Sequence, residues 1–128
     1  MIYSYDITTP ANTPESAPIV TLCRLPRGRA ANVDVLFPPG CAGLAHIQIY
    51  RGLHQLWPGN AGASIVGDGI TVSWVEDYMM LDEPLTLVAF TWNIDDTYPH
   101  TITLRVNMLD TDTFRAGNIG DLTPADLV

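Results

Sequence analysis

The stretch "TWNIDDTYPHT" (Thr91 to Thr101) places Asn93, Asp95, Asp96 and His100 within eight residues, the chain's most suggestive cluster of polar groups. Carboxylate, amide and imidazole at this density suit a cation site, an acid/base pair or a turn. A calcium loop needs many oxygen ligands around one point, as in the D-x-D-x-D-G pattern with its glycine. This stretch has one adjacent Asp pair and no glycine, and adjacent residues on an extended chain point in opposite directions. Asp and Asn favour turns because their side chains bond nearby backbone N–H groups, and Pro99 restricts the chain before the next strand. The turn is the better reading, with a weak calcium site as the lesser alternative.

Other sets of reactive residues are sparser. His46 and His54 both belong to apparent strand, but Gly52 breaks the register between them and zinc needs further ligands. Close H-x-H, H-E-x-x-H and C-x-x-C spacings are absent. Ser64 and Ser73 lie in apparent strands without the glycine elbow of a nucleophilic serine. "GDG" at Gly67 to Gly69 lacks the lysine and following helix of a phosphate loop. These readings predict no catalytic residue, no metal and no cofactor. Enzymes of hydrolase type, or of cupin type with clustered histidines, rank last.

The elements that position these residues follow from a period of two. "NVDVLF" alternates Val33, Val35 and Phe37 against Asn32, Asp34 and Leu36, and "LAHIQIYR" sets Ala45, Ile47 and Ile49 against His46, Gln48 and Tyr50. "ITVSWVE" places Ile70, Val72 and Trp74 on one side, and "TITLRVNML" places Ile102, Leu104, Val106 and Met108 there. "IVTLCRL", "LHQLW" and "ASIV" are shorter strand candidates. "LTLVAFTWN" (Leu85 to Asn93) is apolar on both faces, as a central strand should be. Gly/Pro turns at short intervals and no helical period predict an all-β chain, a single antiparallel β-sandwich of jelly-roll-like or related type. No Trp lies between Cys23 and Cys41, so the antibody-type signature is missing. The expected organisation is an extended arm over 1–17, a sandwich over 18–109 and an acidic tail over 110–128. Leu85 to Asn93 and Thr101 to Leu109 are expected to pair as a hairpin, with the polar stretch at its tip.

Composition limits the partners. A chain of 128 residues, 47% hydrophobic, suits one domain that folds without metal or disulfide. Fourteen carboxylates against six basic residues, all arginine, leave a net charge of −8, which disfavours nucleic acid. No apolar run is long enough to span a bilayer, and "MIYSYDITTP" lacks the basic and apolar parts of a signal peptide. Synthesis in the cytoplasm without export is the expectation, and Cys23 and Cys41 read as two buried thiols, with a disulfide as the alternative outside the cell. Arg24, Arg27 and Arg29 form the one basic cluster, a solvated turn first and a salt bridge to another subunit second. Tyr3 and Tyr5, on one side of an extended arm, are expected to dock on a neighbour. Trp57 before "PGN" and Tyr98 in the polar stretch are the expected exposed aromatics, whereas Trp74 and Trp92 read as core.

In general design the chain resembles the small decoration, tail or minor capsid proteins of tailed bacteriophages. The likeness is one of organisation and transfers no functional residue. The expected function is accordingly a non-enzymatic assembly protein, homo-oligomeric or decorating a particle such as a virion. Its candidate contacts are Tyr3, Tyr5, Arg27, Arg29, Trp57, Asp95, Asp96 and Tyr98. The alternative is a carbohydrate- or other ligand-binding sandwich module using Trp57, Tyr98 and the Asp95/Asp96 loop.

Overall fold

A computed structural model describes residues 1–110, and all regular structure within them is β. Nine strands run in chain order: β1 (Ile2–Thr9), β2 (Ile19–Arg24), β3 (Gly28–Phe37), β4 (Ala45–Arg51), β5 (His54–Trp57), β6 (Ile65–Val66), β7 (Ile70–Met80), β8 (Thr86–Asn93) and β9 (His100–Leu109). They form two antiparallel sheets, ordered β1-β9-β3-β7 and β2-β8-β4-β5, with β6 pairing β4 beside β5's lane. The sheets pack face to face around one core.

The alternating rows meet across that core. Val33, Val35, Ile102, Leu104 and Val106 come from the four-stranded sheet, and Ile47, Ile49, Leu87 and Ala89 from the five-stranded one; all are fully buried. Apolar burial of this kind drives folding at about 25 cal/mol per Å² removed from water. One irregularity interrupts β3 between Ala30 and Asn32, where both neighbouring strands shift register. The extra residue lets Arg29 and Asn32 both face outward while Ala30 and Val33 stay in the core. Gly28, at φ +153°, opens β3 where a Cβ would lie 2.5 Å from the carbonyl oxygen of Leu109, so only glycine permits this approach.

Two expectations need correction. The segment expected to be a free arm contains β1, which pairs with β9 from Ile2↔Asn107 to Thr9↔His100. Its inward residues Tyr3, Tyr5, Ile7 and Thr9 lie beside Val106, Leu104, Ile102 and His100, and Ile7 is buried. The many Ser and Thr residues that suggested an arm occupy the solvent side of this strand or pair inside it. Thr8 and Thr101 share a 2.9 Å hydrogen bond on the outside, whereas Thr9 donates to Thr91 across the core at 2.8 Å.

The second correction concerns the expected hairpin. β8 lies between β2 and β4, and β9 lies between β1 and β3, so the two belong to different sheets. Residues 94–99 therefore carry the chain across the sandwich, about 10 Å. The alternation is the same for a hairpin and a crossing, because both keep the same residues facing the core. The tail expected over 110–128 lies outside the described residues apart from Asp110.

If β1 belongs to the sheet, removing residues 1–9 should abolish cooperative unfolding, whereas loss of a free arm would leave it intact. Ile7→Ala should cost about 2–5 kcal/mol. Urea denaturation followed by tryptophan fluorescence reads both effects.

Candidate functional site

The corner between β8 and β9 is built on Asn93, whose side chain is fully buried. Its Nδ2 donates to Thr9 O at 3.3 Å and to Tyr98 O at 2.9 Å, and its Oδ1 accepts from Asp95 N at 3.0 Å. Its backbone exchanges two 2.9 Å hydrogen bonds with Thr13. One amide thus joins the start of the chain to the crossing. Asp95 continues the turn: its Oδ1 accepts from the backbone N–H of Thr97 at 2.9 Å and of Tyr98 at 3.3 Å. Its Oδ2 lies 2.8 Å from Nε2 of His100, and both side chains are largely buried. The Thr97 N–H first, then His100, hold the Asp95 carboxyl below its ordinary value.

Both Asp95 oxygens are therefore committed to the turn. Asp96 is exposed, with Oδ1 accepting from Thr97 Oγ1 at 2.8 Å, and Tyr98 is 65% exposed. Among the described residues, no three His, Cys, Asp or Glu side chains are grouped to hold a metal ion. His46 lies elsewhere, stacked on Trp92 at 5.1 Å with Nδ1 2.8 Å from Ser64 Oγ, and burial lowers its pKa. His54 is exposed. Cys23 and Cys41 are separate buried thiols, and burial pushes Cys23 up to about 11.

The remaining candidate contacts are dispersed. Tyr3 and Tyr5 pack half-buried against the core, and the Tyr5 hydroxyl donates to Arg24 O. Both point to the inward side of β1, beside Val106 and Leu104, and remain partly exposed. Arg27 donates to Leu81 O. Arg29 lies 3.4 Å from Asp77, an ion pair within the chain.

Trp57 is buried at the end of β5, opposite the buried Ile49, next to a register shift between Ile49 and Tyr50. It meets Trp74 edge-to-face, with ring centroids 5.7 Å apart, and Tyr78 in the same manner at 6.4 Å. These rings lie where the sandwich opens between its edge strands β5 and β7. The opening is a cleft of about 500 Å³ lined by Leu56, Trp57, Pro58, Gly59, Ile65, Val72, Trp74 and Glu76. Tyr98 is not part of it, so the expected Trp57/Tyr98 platform is not one surface.

Two polar side chains frame that opening and were missed in the sequence. Gln55 ties the loop after Trp57, donating to Pro58 O at 2.8 Å and Ala63 O at 3.1 Å while accepting from Gly62 N at 2.9 Å. Arg51 donates to Pro84 O at 2.9 Å, Asp82 O at 2.6 Å and Tyr78 Oη at 3.1 Å. A lone Gln or Arg in a strand carries no signal that its partners are distant backbone carbonyls.

A further chemically distinct surface is the outer face of the five-stranded sheet. Val20 and Leu22 of β2 stand opposite Phe90 and Val88 of β8, and Gln48 and Tyr50 of β4 lie on β8's other side. Val20 is 55% and Leu22 63% exposed. No residue in any of the five strands is Asp or Glu. The opposite sheet carries Asp6, Asp34, Glu76 and Asp77. Its outer face mixes acids and amides with exposed Ile2 and Val75, and Thr103 donates to Asp6 at 2.8 Å.

No protein-family model matches the chain, and no curated protein matches it significantly. Among solved structures it is similar to one titled "Crystal Structure of FeII HppE", at 8% identity and a TM-score of 0.41. That match covers 83% of this chain and 43% of the other, so the chain spans less than half the length of that neighbour.

The lowered Asp95 pKa has a signed consequence. The stabilisation is complete above the ordinary Asp value of 3.8 and is lost as pH falls through the lower folded value. Asp95→Asn should reduce melting temperature at neutral pH and flatten its decline in acid. Melting curves across the acid range check this, and an unchanged acid slope in the variant would remove Asp95 from the account.

Proposed function

We propose that the protein is a non-enzymatic assembly subunit that self-associates or decorates a larger particle, such as a bacteriophage virion, as a head-decoration, minor capsid or tail protein. The observation that carries this reading is the exposed apolar pair Val20 and Leu22 on the outer face of the five-stranded sheet, whose strands hold no Asp or Glu, on a chain of net charge −8. Exposed apolar patches mark interaction surfaces. Acidic copies repel one another over most of their surface, and that repulsion is weakest where the acids are missing. A second copy is therefore the occupant this face suits. Arg24 and Arg51 end β2 and β4 and place positive charge at the rim of the same sheet.

The strand orders β1-β9-β3-β7 and β2-β8-β4-β5 support reading the sandwich as a jelly roll. Chain-successive strands alternate between sheets except where β4, β5 and β6 remain together. Double-sheet jelly rolls serve capsids, lectins and metal enzymes alike, so this reading agrees with assembly without selecting it.

Magnitude bears on the test. Three strands present a face of about 15 by 20 Å. That is smaller than the roughly 800 Å² per partner of a standard interface. Association between isolated copies is therefore weak, and repetition in a particle strengthens it through multivalency.

A second reading, a ligand-binding module, draws on the aromatic cleft between β5 and β7. Its expected carbohydrate platform is reduced by the burial of Trp57 and the separation of Tyr98.

Sedimentation analysis over a wide concentration range tests self-association. The protein should show reversible mass increase, and Leu22→Glu, at an exposed position, should remain monomeric with an unchanged melting temperature. A wild-type chain that stays monomeric up to its solubility limit would overturn the reading.

A further inference from the structure

We infer that the cleft between β5 and β7 is a binding site for a small organic cation of the methylated or quaternary ammonium class. Trp57 and Trp74 meet edge-to-face at 72°; Trp57 is buried behind, and the partly buried Trp74 is the indole left more open to the cleft. Pro58, Ile65 and Val72 contribute apolar walls. Glu76 is the only charged residue lining the cleft. It is oriented by Trp74, whose Nε1 donates to Glu76 Oε1 at 2.9 Å.

Each feature selects the same chemistry. Indole faces carry negative electrostatic potential and attract cations, most strongly where water is displaced. A carboxylate at the rim adds a full opposite charge; Arg51, which frames the opening, is not among its lining residues and is held by Tyr78 Oη and the carbonyls of Asp82 and Pro84. Methyl groups on the cation suit the apolar walls better than a strongly hydrated primary ammonium does. The net charge of −8 raises the local concentration of cations over anions or neutral solutes. A sugar is less well served, because beyond Glu76 the lining side chains bring few groups able to accept or donate to several hydroxyls. The cleft has the volume for such a cation, at about 500 Å³.

The inference stands apart from the assembly reading, because the cleft opens at the sheet edges rather than on the outer face. The Leu22→Glu variant therefore serves as a control and should bind as the wild type does.

Calorimetric titration of the full chain with choline, together with tryptophan fluorescence, provides the test. Choline should bind saturably and perturb the tryptophan emission. Its uncharged isostere 3,3-dimethylbutanol should bind about tenfold more weakly. Glu76→Gln keeps an acceptor for the indole N–H and removes the charge, so it should lower choline affinity about tenfold and leave binding of the isostere unchanged. Trp74→Phe, which keeps a ring but shrinks it, should weaken choline binding at a retained melting temperature. The proposal is overturned by any of three results: no saturable choline binding, equal affinity for the isostere, or full affinity in Glu76→Gln. Tighter binding of a neutral oligosaccharide than of choline would also overturn it, in favour of a sugar site.

Discussion

The pairing of β1 with β9 is the constraint on which the other features depend. Two sheets can bury their inward rows only against each other, so the chain changes sheet at most connections. β1 begins that sequence and β9 is the last described strand, and their ladder joins the two ends. It also places Thr9 over Thr91 and beside the Asn93 amide. Without β1, these fully buried groups would lose their partners, at about 1–3 kcal/mol for each unsatisfied group. The polar corner is therefore not an addition to the apolar core. It is what lets the chain cross between layers without leaving buried donors unpaired.

That corner accounts for the crowded residues of "TWNIDDTYPHT". Asn93 and Asp95 satisfy the backbone of the crossing, His100 pairs with Asp95, and Asp96 remains outside. A turn was legible there because Asp and Asn bond local N–H groups. Its direction was not. Strand alternation records which residues face the core but not which sheet they face it from, so the β8–β9 crossing had the pattern of a hairpin. The same limit explains β1. Serine and threonine on its solvent face carried the composition of a loop, while Tyr3, Tyr5 and Ile7 supplied the inward row that pairs with β9. Trp57 shows a third limit. Proline and glycine after a strand mark its end correctly but say nothing of whether the last side chain points in or out.

The strands whose alternation was strong, β3, β4 and β9, were readable with their inward faces. In β8 the apolar residues on both faces indicated a central strand, and it does lie between β2 and β4. Only one of those faces belongs to the core, however. Leu87 and Ala89 point inward, while Val88 and Phe90 lie on the outer face beside Leu22 and Val20. Trp92, expected in the core, is covered on that outer side by His46. The doubled hydrophobicity of β8 thus has two physical causes, and the proposed docking surface is the second of them.

Charge placement separates the two proposed surfaces. β7 is an 11-residue edge strand, and a bare edge of that length invites strand addition from another copy. Glu76 and Asp77 stand within it, pointing to opposite sides: Glu76 lines the cleft and Asp77 faces Arg29. A pair of like copies meeting along β7 would bring these carboxylates together, whereas the carboxylate-free sheet has no such penalty. The acids on β7 therefore disfavour pairing of like copies along that edge, which agrees with the association proposed for the outer face of the other sheet. They also leave the aromatic opening beside β7 accessible to a small solute. The placement of Glu76 and Asp77 on β7, which composition folds into a single net charge, bears on both proposals.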